Sequence, residues 1–268
     1  HVSVLSDARS PHLDFAGFAQ EFLRRNRDYQ RQYAALGEPA ELDPLAPQCR
    51  EMARNWGLCF PDCPQVSAEV NPATWLAEVA PTVIVLAPAP PGLIGIAAES
   101  ILLGRSIVSD ISDRGDRHLV LTDSTAIHRL MVVSSDHRVG HHVAIMPDDC
   151  WGIRRAALDQ FVGRNSGDRI GRLQPTSAQH HRLILMLRTL DYLNATEPPE
   201  PTLRSIAETV LFPRRDLGRA IEWKCSSERR QTQRLVSSAR HLMQGGYRQL
   251  LKGKFERSSG KCAANAVS

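Results

Sequence analysis

The chain has 268 residues, of which 42% are hydrophobic and 23% charged, with a formal net charge of +4; this is the balance of a globular protein, not of a disordered one. Its longest apolar stretch, around Pro81 to Leu103, is broken by Pro88, Pro90, Pro91, Gly92, Gly95 and Glu99, so it falls short of the roughly 20 continuous apolar residues of a membrane helix. The cysteines, Cys49, Cys59, Cys63, Cys150, Cys225 and Cys262, are scattered in a chain too long to need a disulfide scaffold, and reduced thiols are expected.

Length favours one large domain or two small ones. Asp7 and Arg9 near the start, without an apolar run, do not read as a signal peptide. His1 in first position reads as a fragment or an uncertain start site. A soluble, cytoplasmic protein with no membrane partner is expected. The charge is uneven: residues 200–268 carry a local +8, and residues 1–199 a local −4. A basic final quarter on a mildly acidic body suits phosphate binding, because Lys and Arg displace condensed counterions from nucleic acid. A solvated basic tail is the plainer alternative.

From Asp14 to Leu36, Phe15, Phe18, Phe22, Tyr29, Tyr33 and Leu36 recur at helical steps, and Gly37 with Pro39 ends the pattern. One helix is expected there, its aromatic stripe facing the core. A second helix is expected over Pro47–Asn55, stopped at Trp56–Gly57. The segment NPATWLAEVAP gives one helical turn, and Thr82–Ala87 is a compact β-branched run. Pro88–Gly92 reads as a linker or sharp bend, and a domain boundary is placed there.

Four short β-rich runs follow, Ser106–Ile111, His118–Thr122, Ile127–Val133 and Val143–Met146, separated by turn clusters. Connections this short favour an antiparallel meander. Asp148 or Asp149 caps a helix reaching about Val162, and GRNSGDR is loop. Cys59 and Cys63 lack a second ligand pair, and His118, His128, His137, His141 and His142 lack carboxylate or cysteine partners at ligand spacing. No metal and no cofactor are expected.

The last third reads as helical. Pro175 opens a helix through Leu193, TEPPEP forms a stiff connection, and Thr202 caps a helix from Leu203 to Phe212. After a basic connection carrying Trp223, Ser226 or Ser227 starts a longer helix ending at Gly245–Gly246. The fold class is therefore α+β: an N-terminal helical module (1–90), a small antiparallel β meander with a following helix (91–165), a helix-turn-helix unit (166–257) and a tail expected to be disordered (258–268).

At 100° per residue, Leu235, Ala239, Leu242, Val236 and Met243 form the core side of the longer helix. Arg230, Gln233, Ser237 and Arg240 lie opposite, with Arg229 and Arg234 at the margins. Arginine pairs bidentately with guanine and glutamine with adenine. The candidate base-reading residues are thus Arg230, Gln233, Ser237 and Arg229. Lys224, Arg234, Arg240, Arg248 and Lys252 are the candidate phosphate contacts. Glu228 at the helix start complements the dipole or accepts from cytosine, the structural role being favoured. The connection from Pro213 to Cys225 is longer than the usual helix-turn-helix turn.

The segments DFAGFAQEFLRRNRDYQRQY, MARNWGLCFPDCP and VAPTVIVLAPAP resemble the N-terminal module of small alphaproteobacterial transcriptional regulators. HRLILMLRTLDYL, LRSIAETVLF and RLVSSARHLMQGGYRQLL are similar to the C-terminal domain of the same regulators, and Trp223-Lys224-Cys225-Ser226-Ser227 agrees with that pattern. CFPDC and the residues after Lys254 depart from it. The two-module arrangement resembles the excision activators of rhizobial integrative and conjugative elements. That resemblance implies promoter DNA as the partner, activation of excision or transfer genes through RNA polymerase, and a small antiactivator protein as a regulator. It does not assign the base-reading residues. The alternative is an antiactivator or protein-interaction module working through its aromatic N-terminal helix or β meander. No P-loop, GxSxG, HExxH or carboxylate set points to catalysis, and no enzyme is expected.

Overall fold

A computed structural model describes residues 13–38, 41–124, 126–134, 140–163, 173–195 and 201–255. The features expected at His137, at 164–169, in the proline-rich connection 196–200 and in the tail 258–268 lie outside the described residues.

Two helices stand where one was expected: α1 is Phe15–Leu23 and α2 is Arg27–Ala34. Asp14 caps α1, accepting from the Gly17 amide at 2.7 Å. Asn26 breaks the run, because its side chain accepts from the Asp28 and Tyr29 amides and so caps α2. Its Nδ2 also donates to the Met243 carbonyl at 2.9 Å. The aromatic periodicity persists through the break because Phe15, Phe18, Phe22, Tyr29 and Tyr33 all enter one core. Helix α3, Pro47–Asn55, begins with its proline and is followed by Trp56 and Gly57. Beyond it Leu58 bridges Trp75, and a single turn closes between Leu76 and Ala80.

The strands are β1 Val83–Pro88, β2 Ser106–Asp113, β3 Asp116–Thr122, β4 Ile127–Val132 and β5 His141–Ala144. They form one sheet in the order β2-β3-β4-β1-β5. The expected antiparallel meander holds for β2-β3-β4 only. The correction is β1, which runs parallel to β4 (Ile84 opposite Leu130) and antiparallel to β5 (Leu86 opposite Val143). Its sequence VIVLAP is a nearly continuous apolar run, the mark of a central strand covered on both faces. Strand β1 thereby ties the segment before residue 90 into the sheet. Between β2 and β3, Arg114 and Gly115 both have positive φ (54° and 91°), the backbone of a two-residue hairpin turn that matches strand twist.

Helix α4 is Ala98–Leu102 and α5 is Trp151–Phe161. The cap of α5 is Cys150 and not Asp148 or Asp149, a correction: the Asp148 carboxylate accepts from the Cys150 amide, ahead of the first turn, and no described side chain caps the helix. Helix α6 spans Ser177–Ala195. It is opened by Thr176 and Gln179 in a reciprocal capping box, with Pro175 one position ahead of the cap, outside the first turn. Helix α7, Leu203–Ile206, continues as a π-helical turn, Ala207–Leu211. Helices α8, Ala220–Cys225, and α9, Ser227–His241, follow. A second π-helical turn, Leu242–Gly246, leads into α10, Tyr247–Leu251.

Two cores organise these elements. In one, the sheet residues Ile84, Leu86, Leu119, Leu121 and Leu130 pack against Ile101 of α4 and Phe161 of α5. In the other, α1 is central, and all nine of its residues are buried. Leu183, Met186, Leu187 and Leu190 of α6 close over it, joined by Leu235 and Ala239 of α9 and by Tyr247, Leu250 and Leu251 of α10. Residues between Leu13 and Val83 and between Leu183 and Leu251 therefore share one apolar interior. The indole of Trp75 lies 6.0 Å from the Tyr247 ring, and the Tyr247 hydroxyl donates to the Trp56 carbonyl at 2.7 Å.

The polar groups on α1 are satisfied internally, as burial demands. Gln20 donates to Asp62 and to the Asn71 carbonyl, both at 2.7 Å, and accepts from the Ala73 amide. Glu21 accepts from Ala68, Arg24 and Arg25. Arg25 reaches Asp191 of α6 with two parallel bonds, 2.6 and 2.9 Å. Burial would raise the Glu21 pKa, but the charges of Arg25 and Arg24 outweigh it and hold the carboxyl low. Arg129 of β4 grips the Asp14 carboxylate at 2.6 Å, linking the cap of α1 to the sheet.

Asp62 behaves in the opposite way. Burial pushes its pKa up to about 7, against the bonds from Gln20 and Asn71 that favour the charged form. The folded chain then holds a proton that the unfolded chain has released between pH 3.8 and about 7. Stability from this group is greatest at the acid end of that window, falls as pH rises through it, and is level above it. Denaturant midpoints measured across pH 4 to 8 should show this fall in the wild type and a flatter profile in Asp62→Asn. Parallel profiles would exclude it.

Candidate nucleic-acid interface

Thr202 caps α7 by accepting from the Ser205 amide at 3.1 Å. Ile206 and Ala207 face inward, and Ala207 joins Leu217 and Trp223 in a small separate core. The stretch read as a plain connection therefore holds α8, a correction with a local cause. The Arg219 amide donates to Glu222 at 2.6 Å, closing the first turn, and Trp223 anchors the helix at 7% exposure. The spacing of Arg219 and Glu222 was the available signal. Ser226 separates α8 from α9 and caps the latter, accepting from the Arg229 amide at 3.0 Å.

Helix α9 divides cleanly into two sides. Thr232, Leu235, Val236 and Ala239 are buried, and Thr232 returns its hydroxyl proton to the Glu228 carbonyl at 2.8 Å. Arg230, Gln233, Arg234, Ser237 and Arg240 are exposed, and Arg229 is half-buried. Arg229 and Arg230 donate to the Lys224 and Cys225 carbonyls at 3.3 and 3.1 Å, and Arg234 to the Arg230 carbonyl at 3.3 Å. These are long bonds to neutral oxygens, weaker than the charge-assisted bonds an arginine makes with phosphate or a guanine edge.

The acid closest in sequence is Glu228. It pairs with Arg215 at 2.9 Å. Its pKa is lowered first by its own backbone amide and then by the Ser227 hydroxyl. It sits in the first helical turn, where negative charge complements the dipole.

Lys224, exposed on α8, lies immediately ahead of this row. Arg248 and Lys252 do not join it. Arg248 lies on α10 and Lys252 at its end, beyond a bend where Gly245 adopts φ 128°. Arg248 donates to the Asn55 carbonyl at 2.6 Å, at the end of α3. It therefore fastens the N-terminal module to α10 as well as presenting positive charge.

Three of the central histidines have local partners. His118 packs edge-on against Phe60, His128 bonds Asp123 at 2.8 Å and meets Phe161, and His141 reaches the Ser134 carbonyl. Burial pushes the Cys59 thiol up to about 12, which disfavours the thiolate that metals bind. Among the described residues no group of three or more histidine, cysteine, aspartate or glutamate side chains could hold a metal ion. No helix among them is long and apolar enough to cross a membrane.

With this geometry in view, two family models match the chain. Residues 145–252, which contain α5 through α10, are similar to the family described as a T6SS transcription factor DNA-binding domain. Residues 6–61, which contain α1 to α3, are similar to the proteobacterial transcriptional regulator-like domain. No curated protein matches the chain. The two matches support a two-module DNA-binding transcription regulator, a class that does not ordinarily act as an enzyme.

The row on α9 depends on where that helix starts. Ser226→Ala removes the acceptor for the Arg229 amide and should cost about 1 kcal/mol, the usual worth of such a cap. Urea denaturation measures this, and an unchanged midpoint would show that the cap contributes nothing.

Proposed function

We propose that this chain is a cytoplasmic, sequence-specific DNA-binding transcriptional activator that controls excision or transfer genes of a mobile element. The carrying observation is the exposed row of Arg230, Gln233 and Ser237 on α9, whose opposite side is held in the core. It lies within the segment similar to a DNA-binding domain. In this reading α9 enters the major groove, with α7 and α8 packed behind it. Arg229 and Arg230 address guanine, Gln233 addresses adenine, and Ser237 contacts either. Lys224, Arg234, Arg240, Arg248 and Lys252 contact phosphates and set register without carrying sequence information.

Activation and the mobile-element role follow from the resemblance to excision activators, as do RNA polymerase and a small antiactivator as protein partners. The competing reading makes the chain itself a sequestering module. One surface that reading would use, the aromatic face of α1, is enclosed: Phe15, Phe18 and Phe22 are at most 4% exposed. The DNA-binding reading is therefore preferred.

Fluorescence anisotropy with labelled operator and scrambled duplexes across a salt series separates the two kinds of contact. Arg230→Ala or Gln233→Ala should cost roughly 1–3 kcal/mol on the operator and relax preference at one base position. Lys252→Ala should weaken both duplexes alike and shallow the salt slope by about one. Unchanged operator binding in both α9 variants would remove the face assignment. Absence of any salt-dependent binding would remove DNA binding itself.

A further inference from the structure

We propose that a cleft between α6 and α9 binds a small amphipathic anion, a carboxylate or sulfonate carried on an aliphatic or aromatic body. The cleft, open to solvent along one side, has a volume of about 850 Å³, within the range of small-molecule sites. Its apolar surface comes from Leu185 of α6, Leu211 at the end of the π-helical turn after α7, Leu235 of α9 and Phe255. Its cationic side comes from Arg182 of α6 and Arg234 of α9, with the His181 imidazole beside them. Among the described residues lining it there is no aspartate or glutamate. Two guanidinium groups therefore border an apolar floor.

That combination selects the ligand class. Apolar surface left open to water favours a hydrocarbon or aryl body at about 25 cal/mol per Å² covered, whereas a phosphodiester gains nothing from it. A guanidinium beside the same floor makes strong charge-assisted bonds with an oxyanion. At the edge of the cleft Gln179 makes a long bond to the Phe255 carbonyl, 3.4 Å, while its Oε1 accepts from the Thr176 amide at 2.9 Å. The cleft also reaches the DNA-facing helix through Arg234. An anion held there would compete for the guanidinium assigned above to phosphate, so ligand binding should weaken DNA binding. This second consequence rests on the proposed function; ligand binding itself does not.

Isothermal titration of the full chain without DNA tests the site, with octanoate, octanol and inorganic phosphate as probes. Octanoate should bind with one site per chain, and octanol and phosphate should each bind at least about tenfold more weakly. Arg182→Gln and Arg234→Gln should each weaken octanoate about tenfold. Leu211→Asp should abolish it, with thermal melting used to confirm that each variant is folded. Because Arg234 is exposed, its variant remains informative if Leu211→Asp fails to fold. No octanoate binding at millimolar concentration, equal binding of octanol or of phosphate, or unchanged affinity in Arg234→Gln would overturn the proposal. A chain that binds octanoate in this pattern but binds no DNA would support the cleft and refute the regulator reading.

Discussion

Helix α1 has no solvent face, and the arrangement of the C-terminal helices follows from that constraint. Its sequence, FAGFAQEFL, offers four large apolar side chains within nine residues. An isolated helix this short is marginal in water, so its stability comes from what it packs against. Here the partners come from segments far apart in sequence: α6, α9 and α10 on one hand, the Leu58–Val83 segment on the other. The Glu21–Arg25–Asp191 chain, buried at Glu21 and Arg25 and half-buried at Asp191, adds a geometric requirement, because an arginine with two parallel bonds to one carboxylate tolerates little displacement. Such a pair is weak evidence for stability and better evidence for register.

The same docking fixes the outward row. Leu235 and Ala239 of α9 enter the core that surrounds α1, and a helix with that side anchored must present Arg230, Gln233 and Ser237 to solvent. Past the bend at Gly245, α10 lies against α1, held by Tyr247 on Trp56 and by Arg248 on Asn55. The segment similar to a regulator-like domain thus shares its interior with the segment similar to a DNA-binding domain. The cleft bordering Arg234 lies on the flank of α9, where a ligand could act on the helix without dismantling that interior.

Much of this was legible in the chain because local chemistry and global packing agree. Phe15, Phe18 and Phe22 at helical spacing, Pro47 at a helix start, Thr202 as a cap, Ser226 or Ser227 as a helix start, and Leu235 with Ala239 as an inner stripe all point to the elements that form. Readings fail where a nearby polar group or a distant partner decides. Asn26 interrupts a continuing aromatic period because capping two amides and bonding Met243 outweighs one more helical turn. Helix α8 hid in a basic stretch because its one buried anchor, Trp223, packs on Ala207 and Leu217. Strand β1 was visible as an apolar run, but its place between β4 and β5 depends on long-range pairing that spacing does not encode. The polar row on α9 was legible as an angle on a helix, whereas the cleft was not, since it arises only when α6 and α9 meet.

Hydrogen exchange on the intact chain tests the shared interior most directly. If α1 is the common core, the amides of Phe18 to Leu23 should exchange only through global opening, with the same free energy as those of Leu235 to Ala239 in α9. Fast exchange throughout α1, while α6 and α9 stay protected, would show that the N-terminal module is a separable appendage and would contradict the account.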